Sequence, residues 1–171
     1  MSKEDVVLQQ RKPTRLKNFD YSTQGAYFLT ICTEKRKTIL SDVTVGEGLA
    51  PPEISLKPCG KVAEEQLLSL KDRYPTLSLE SYVIMPNHIH MILFLQKNAG
   101  GASPSPTISD IVCSFKSLTS RICKEKYNVE KLFQRSFMDH IIRDRDDYRT
   151  RTNYIIKNPS NWICDELYTK E

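Results

Sequence analysis

Leu77–Leu95 reads LSLESYVIMPNHIHMILFL. Two apolar runs, Leu77–Met85 and His88–Leu95, are separated by Pro86-Asn87, a tight-turn signal. The stretch therefore predicts an antiparallel hairpin. In the first strand Leu77, Leu79, Val83 and Met85 are expected on one face. In the second, alternation puts His88 and His90 on one face with Ile92 and Phe94, and Ile89 on the other. The two imidazoles thus sit at the turn end of an otherwise apolar face, where a site can open to solvent.

Outward from the hairpin, Ala26–Thr33 (AYFLTICT) alternates and is rich in aromatic and β-branched residues, so it predicts another strand. Lys35 to Pro58 carries Gly46, Gly48, Pro51 and Pro52 and is expected to be a long connection, flexible over about 43–58. Gly60–Tyr74 spaces Val62, Ala63, Gln66, Leu67 and Leu70 as one helical face. A low-complexity loop covers about 96–107. Thr107–Lys126 is expected to be helical, opened by a Thr107/Asp110 capping box, with Ile111, Phe115, Leu118 and Ile122 as its core stripe. Phe133–Ile142 can supply a fourth strand. A last helix runs from Asp144, its N-cap, to about Asn158, and Pro159 ends it. The order βα, ββ, αβ, α is that of an α+β fold: a ferredoxin-like split βαβ sandwich with an antiparallel sheet and an extra C-terminal helix.

A chain of 171 residues with 39% hydrophobic and 27% charged residues suits one domain, 1–171, with a real core. No apolar run approaches the ~20 residues of a membrane helix, and Met1 to Lys12 has no apolar signal core. The expectation is a cytoplasmic protein with no membrane partner. Five cysteines at wide spacings, with no CxxC, support neither a disulfide framework nor a thiolate zinc site. Net charge is only +4, but Arg11, Lys12, Arg15 and Lys17 crowd one stretch and Lys35, Arg36 and Lys37 another. Such clusters suit a phosphate backbone, although a solvated surface explains either one alone.

Two features carry chemistry. The same-face pair His88 and His90 can take one divalent cation, or can simply hydrogen-bond to neighbours. On the last helix Tyr154 and Asn158 stand at i and i+4, so a phenol and an amide oxygen share a face, with Arg151 one turn earlier. That pair taken alone reads first as an ordinary amphipathic helix end, with Tyr154 half buried and Asn158 as a C-terminal cap. Together the features suit phosphodiester cleavage: a cation held by two histidines and an amide oxygen, and a phenol that attacks phosphorus. Tyr148, about 1.7 turns before Tyr154, is a second phenol expected to face elsewhere.

The same residues resemble the REP-associated tyrosine transposases, members of the single-tyrosine HUH superfamily. The resemblance runs over about residues 11–165. It is carried by Arg15-Leu16 with Tyr21, Gly25–Thr30, Cys32-Thr33, Tyr82–His90, Phe133–Phe137 with Asp139–Arg143, Tyr148-Arg149, Tyr154-Ile155, Asn158-Pro159 and Trp162. It implies a metal-dependent endonuclease or strand transferase for single-stranded DNA near repeat hairpins. Its metal would be held by His88, His90 and Asn158, with Mg or Mn expected. Tyr154 would be the nucleophile, giving a 5′-phosphotyrosine and a free 3′-hydroxyl. Arg11, Lys12, Arg15, Lys17, Lys35, Arg36, Lys37 and Arg151 are the expected DNA contacts, and the protein would act as a monomer or homodimer. The alternative is a hairpin-binding relative that no longer cuts, which has no need of all four site residues. A metal-dependent hydrolase acting through water would leave Tyr154 dispensable.

Overall fold

The computed structural model describes residues 20–44, 52–96 and 106–169. Strand β1 is Gly25–Cys32; β2, Ser41–Thr44, and β3, Glu53–Leu56, pair as a small antiparallel ladder of their own. This ladder lies inside the stretch expected to be a connection. The helical face expected over 60–74 is two helices, α1 (Pro58–Leu68) and α2 (Leu70–Arg73), hinged at Ser69. Strands β4 (Leu77–Ile84) and β5 (His88–Leu95) form the expected hairpin. Helix α3 is Ile108–Tyr127, β6 is Met138–Ile142 and α4 is Arg145–Lys157, followed by a 3-10 turn over Pro159–Cys164. The expected fourth strand is therefore shorter: its first residue, Phe133, makes only an isolated bridge to Thr33.

The main sheet has the order β4-β5-β1-β6, with antiparallel neighbours throughout. This is the split βαβ arrangement, because β1 is joined through α1 to β4 and β5 pairs between them. The protein is an α+β, ferredoxin-like sandwich.

Local chemistry starts the helices where the chain needs them. Thr107 accepts from the Asp110 backbone N–H, and Asp110 accepts from the Thr107 N–H, which completes the capping box. The helix closes on Asn128 in left-handed geometry. Asp144 accepts from the Asp147 N–H at 2.8 Å and caps α4, whose first turn also carries Asp146 and Asp147 against the dipole. Gly60 is where α1 crosses the chain leading into β2: a Cβ there would lie 1.9 Å from the Leu40 carbonyl oxygen.

Alternation along the central strands divides the interior in two. Tyr27, Leu29 and Ile31 of β1 and Ile89, Met91 and Leu93 of β5 face α1 and α3, meeting Val62, Leu67, Ile111 and Phe115. The buried stripe of α3 is Ile108, Ile111, Val112, Phe115, Thr119 and Cys123; Leu118 and Ile122 lie at its edge, only partly buried. The opposite face presents Ala26, Phe28 and Ile92 to Ile155 of α4 and to Trp162 of the following turn. β4 does not keep one parity. Leu77 and Leu79 pack in the first layer, whereas Val83 and Met85 pack in the second. The cause is a β-bulge between Leu79 and Ser81, with Glu80 as the extra residue. A bulge reverses the alternation beyond it, which a period-2 reading does not anticipate.

Candidate active site

The second layer holds the polar residues. His88, His90 and Asn158 are all buried. The imidazoles stand side by side on β5, their ring centroids 4.5 Å apart. His88 Nδ1 lies 2.8 Å from Asn87 Oδ1, while the Asn87 amide nitrogen donates to the Leu167 carbonyl at 2.8 Å and to Thr169 Oγ1 at 3.1 Å. An amide oxygen can only accept, so His88 Nδ1 carries the proton and its Nε2 keeps a lone pair. His90 Nδ1 pairs with the Thr30 hydroxyl at 2.9 Å, a group that both donates and accepts.

The outward atoms of this group have no partner. His88 Nε2, His90 Nε2 and Asn158 Oδ1 are buried without a hydrogen bond. Buried polar atoms are normally satisfied, and each exception costs about 1–3 kcal/mol. Three on adjoining residues form a donor set of two neutral imidazole nitrogens and one amide oxygen, suited to a borderline or hard divalent cation. Burial pushes both imidazoles down to about 3, so they are neutral and ready to ligate. For His88 the charge of Arg36 adds to this, and the neighbouring Asn158 side chain works against it.

Asp165 was not anticipated. One carboxylate oxygen lies with a nitrogen of His88 and of His90 in a cluster whose ligand atoms are all within 4.8 Å of one another. Asp165 Oδ2 accepts from Asn158 Nδ2 at 2.6 Å and is 3.5 Å from Tyr154 Oη; Oδ1 accepts from the Leu167 N–H at 2.6 Å. The carboxylate orients the Asn158 amide so that its oxygen is the free end. No spacing rule points to Asp165, because the 3-10 turn after Pro159 brings it back to α4. The only sequence signal is an acidic residue shortly after Trp162.

Tyr154 is 43% exposed, and its ring stands edge-on to His90 at 5.2 Å and to Phe28 at 6.0 Å. Its phenol is therefore beside the imidazoles and open to solvent. Burial and the charges of Asp165 and Glu166 raise its pKa, and Arg151 acts in the other direction. Arg151 lies over the Phe28 ring at 5.4 Å, and Asp147 holds its Nε at 3.3 Å. Asp147 is held in turn by His140 Nε2 at 2.7 Å. Arg151, Tyr154, His90 and Thr30 line one cleft of about 380 Å³. Tyr148 is elsewhere, its hydroxyl 3.4 Å from Glu80.

Among the predicted basic contacts, Lys35 and Lys37 are exposed and Arg36 is half-buried on the turn after β1. Lys35 and Arg36 hold left-handed backbone, φ 53° and 56°, which costs of order 1 kcal/mol or more for such residues. The turn is held by bonds that also hold the histidine hairpin. The Thr33 hydroxyl shares its one proton between the carbonyls of Lys37 and Asn87, and Thr169 donates to the Arg36 carbonyl. Arg11, Lys12, Arg15 and Lys17 lie outside the described residues. So does most of the expected loop over 96–107. No described helix is long and apolar enough to cross a membrane.

No family model matches the chain. It is 26% identical over 182 residues to an uncharacterized protein of Haemophilus influenzae, covering 98% of both chains. It is also 26% identical over 147 residues to a second Haemophilus influenzae protein, provisionally named a REP-associated tyrosine transposase, covering 82% of this chain and 73% of that one. Among solved structures, a REP-associated tyrosine transposase bound to a REP hairpin superposes with a TM-score of 0.59 at 18% identity, over 91% of this chain and 89% of that one. The chain thus resembles that transposase and shares its fold.

Proposed function

We propose that this protein is a metal-dependent single-stranded-DNA endonuclease and strand transferase of the REP-associated tyrosine transposase type, working near hairpins through Tyr154. One observation carries the reading: three unpartnered ligand atoms, on His88, His90 and Asn158, are buried beside a solvent-open phenol. A bound divalent cation would supply Lewis-acid neutralisation of the scissile phosphate. His88, His90 and Asn158 would hold it, and Asp165 is a further oxygen donor within reach.

The chain's own residues do the rest. Asp165 fixes the amide of Asn158, and Asn87 fixes the tautomer of His88, so the donor set is preorganised before DNA arrives. Arg151, held against Phe28 by Asp147, offers its guanidinium to a phosphate oxygen at the lip of the cleft. Tyr154 Oη attacks phosphorus, forming an O–P bond as the bond to the departing 3′-oxygen breaks. The phenol proton leaves, with Asp165 Oδ2 at 3.5 Å placed to accept it, and the departing oxygen takes a proton. The products are a 5′-phosphotyrosine and a free 3′-hydroxyl. Attack by another 3′-hydroxyl reverses the step and joins strands. The name of the structural relative, bound to a REP hairpin, supports hairpin DNA as the partner.

The test is a denaturing gel with labelled hairpin oligonucleotides and Mn²⁺ or Mg²⁺. Wild type should give a covalent adduct. Tyr154→Phe should still bind DNA and yield no adduct, whereas Tyr148→Phe should still yield it. Cleavage that survives Tyr154→Phe without any adduct would mean that water attacks, and the assignment would be lost.

A further inference from the structure

A second cavity, of about 720 Å³, opens on the same sheet face, at the other end of α4. Its walls include Ala26, Phe94 and Tyr148, which belong to the second layer, together with Glu80 and Arg143. Nothing in the chemistry derived above uses it. The bulge in β4 makes this wall: Glu80 is the extra residue, and its exposed carboxylate stands in the cavity. One carboxylate oxygen takes the Ser78 hydroxyl at 2.5 Å, and the other is 3.4 Å from the Tyr148 hydroxyl. These weak or single contacts leave lone pairs on both oxygens, since an ionised carboxylate accepts about four hydrogen bonds.

We infer that this cavity holds an unpaired guanine of the DNA strand whose phosphate lies at Tyr154. The inference rests on the nuclease reading and names part of its specificity. Aromatic and apolar walls take the face of a base, and single strands leave base edges free to be read. Glu80 selects the base. Guanine alone presents two adjacent N–H donors on its pairing edge, the ring N1–H and the 2-amine, and a carboxylate is a pair of acceptors. Arg143, exposed at the rim, is placed for a phosphate. The spacing agrees with one continuous strand. Ala26 of the cavity and Thr30 of the Tyr154 cleft share a face of β1 four residues apart, about 13 Å. That is no more than about four stacked nucleotides.

The experiment uses the full chain and single-stranded hairpin oligonucleotides in which each unpaired guanine is replaced in turn by inosine, which lacks only the 2-amine. At one position within about four nucleotides of the cut, inosine should weaken binding about tenfold, as expected for loss of half a bidentate contact. 7-Deazaguanine there should bind like guanine. Glu80→Gln, an exposed change that circular dichroism will show to be folded, should erase the difference between guanine and inosine. If wild type binds and cuts but no such position exists, or Glu80→Gln discriminates as before, the cavity assignment is overturned while the nuclease stands. If wild type binds no single strand, both fall together.

Discussion

Two neutral imidazoles buried against each other make the metal-free protein sensitive to mild acid. In the metal-free protein, burial pushes His88 and His90 down to about 3, against 6.5 for an ordinary imidazole. Their folded values are depressed, so the unfolded chain takes up protons first as pH falls. The stability they contribute is complete above about pH 6.5 and is lost as pH falls towards 3. At about pH 5 each imidazole accounts for a loss of about 2 kcal/mol, and the two together about 4 kcal/mol. That is a large part of a typical 5–15 kcal/mol total. Above about pH 5 few carboxylates change charge, so the histidines dominate the window. In urea, with a slope of about 2 kcal/mol/M, the midpoint should fall by on the order of 2 M between about pH 7.5 and 5. Equilibrium unfolding followed by circular dichroism, in buffers of constant ionic strength, measures it. A midpoint unchanged across that window would mean that the imidazoles reach solvent or already carry protons, and the donor set argued for them would be wrong.

Other perturbations probe neighbouring links. His88→Ala or His90→Ala should abolish metal-dependent nicking with the circular dichroism spectrum kept; full nicking by both variants would remove the metal assignment. Saturating Mn²⁺ at about 100 times its dissociation constant should stabilise wild type by about 2.7 kcal/mol, a melting rise of roughly 5–11 °C, and Asn158→Ala should shrink that rise. Equal shifts in both proteins would exclude Asn158 as a ligand. Arg151→Ala should weaken single-strand binding and flatten its salt dependence by about 0.7 in log–log slope, the share of one phosphate contact; an identical slope would place Arg151 off the DNA. Gly60→Ala should lower the melting temperature by several degrees, since overpacking costs about 1–3 kcal/mol and the Leu40 carbonyl is backbone that cannot swing aside. An unchanged transition would contradict that close approach.

Most of the fold was legible because its signals are local. Alternation in Ala26–Thr33 and His88–Leu95 gave the two central strands, and the Thr107/Asp110 box and the Asp144 cap marked where α3 and α4 begin. What escaped depends on distant partners. β2 and β3 are four residues each and exist only because they pair with each other across the Gly- and Pro-bearing segment. The Glu80 bulge is set by register against β5, so the parity of Val83 and Met85 could not be read from β4 alone. Within the candidate site, His88 with His90 and Tyr154 with Asn158 were each visible as periodic pairs, but their meeting is a tertiary event. Asp165 had no periodic signal, because a 3-10 turn sets its direction.

The Asn87 side chain joins the histidine hairpin to a carbonyl 80 positions further on, at Leu167. This has a temporal consequence. On a ribosome adding about 5–20 residues per second, roughly 4–16 s separate the synthesis of Asn87 from that of Leu167. During that interval α4 and the turn beyond it are still being made, so both imidazoles face water on an uncovered sheet. The cluster closes last, after β1, β4, β5 and β6 have all been supplied. A nascent copy halted before Tyr154 lacks the phenol, the Asn158 amide and the Asp165 carboxylate together.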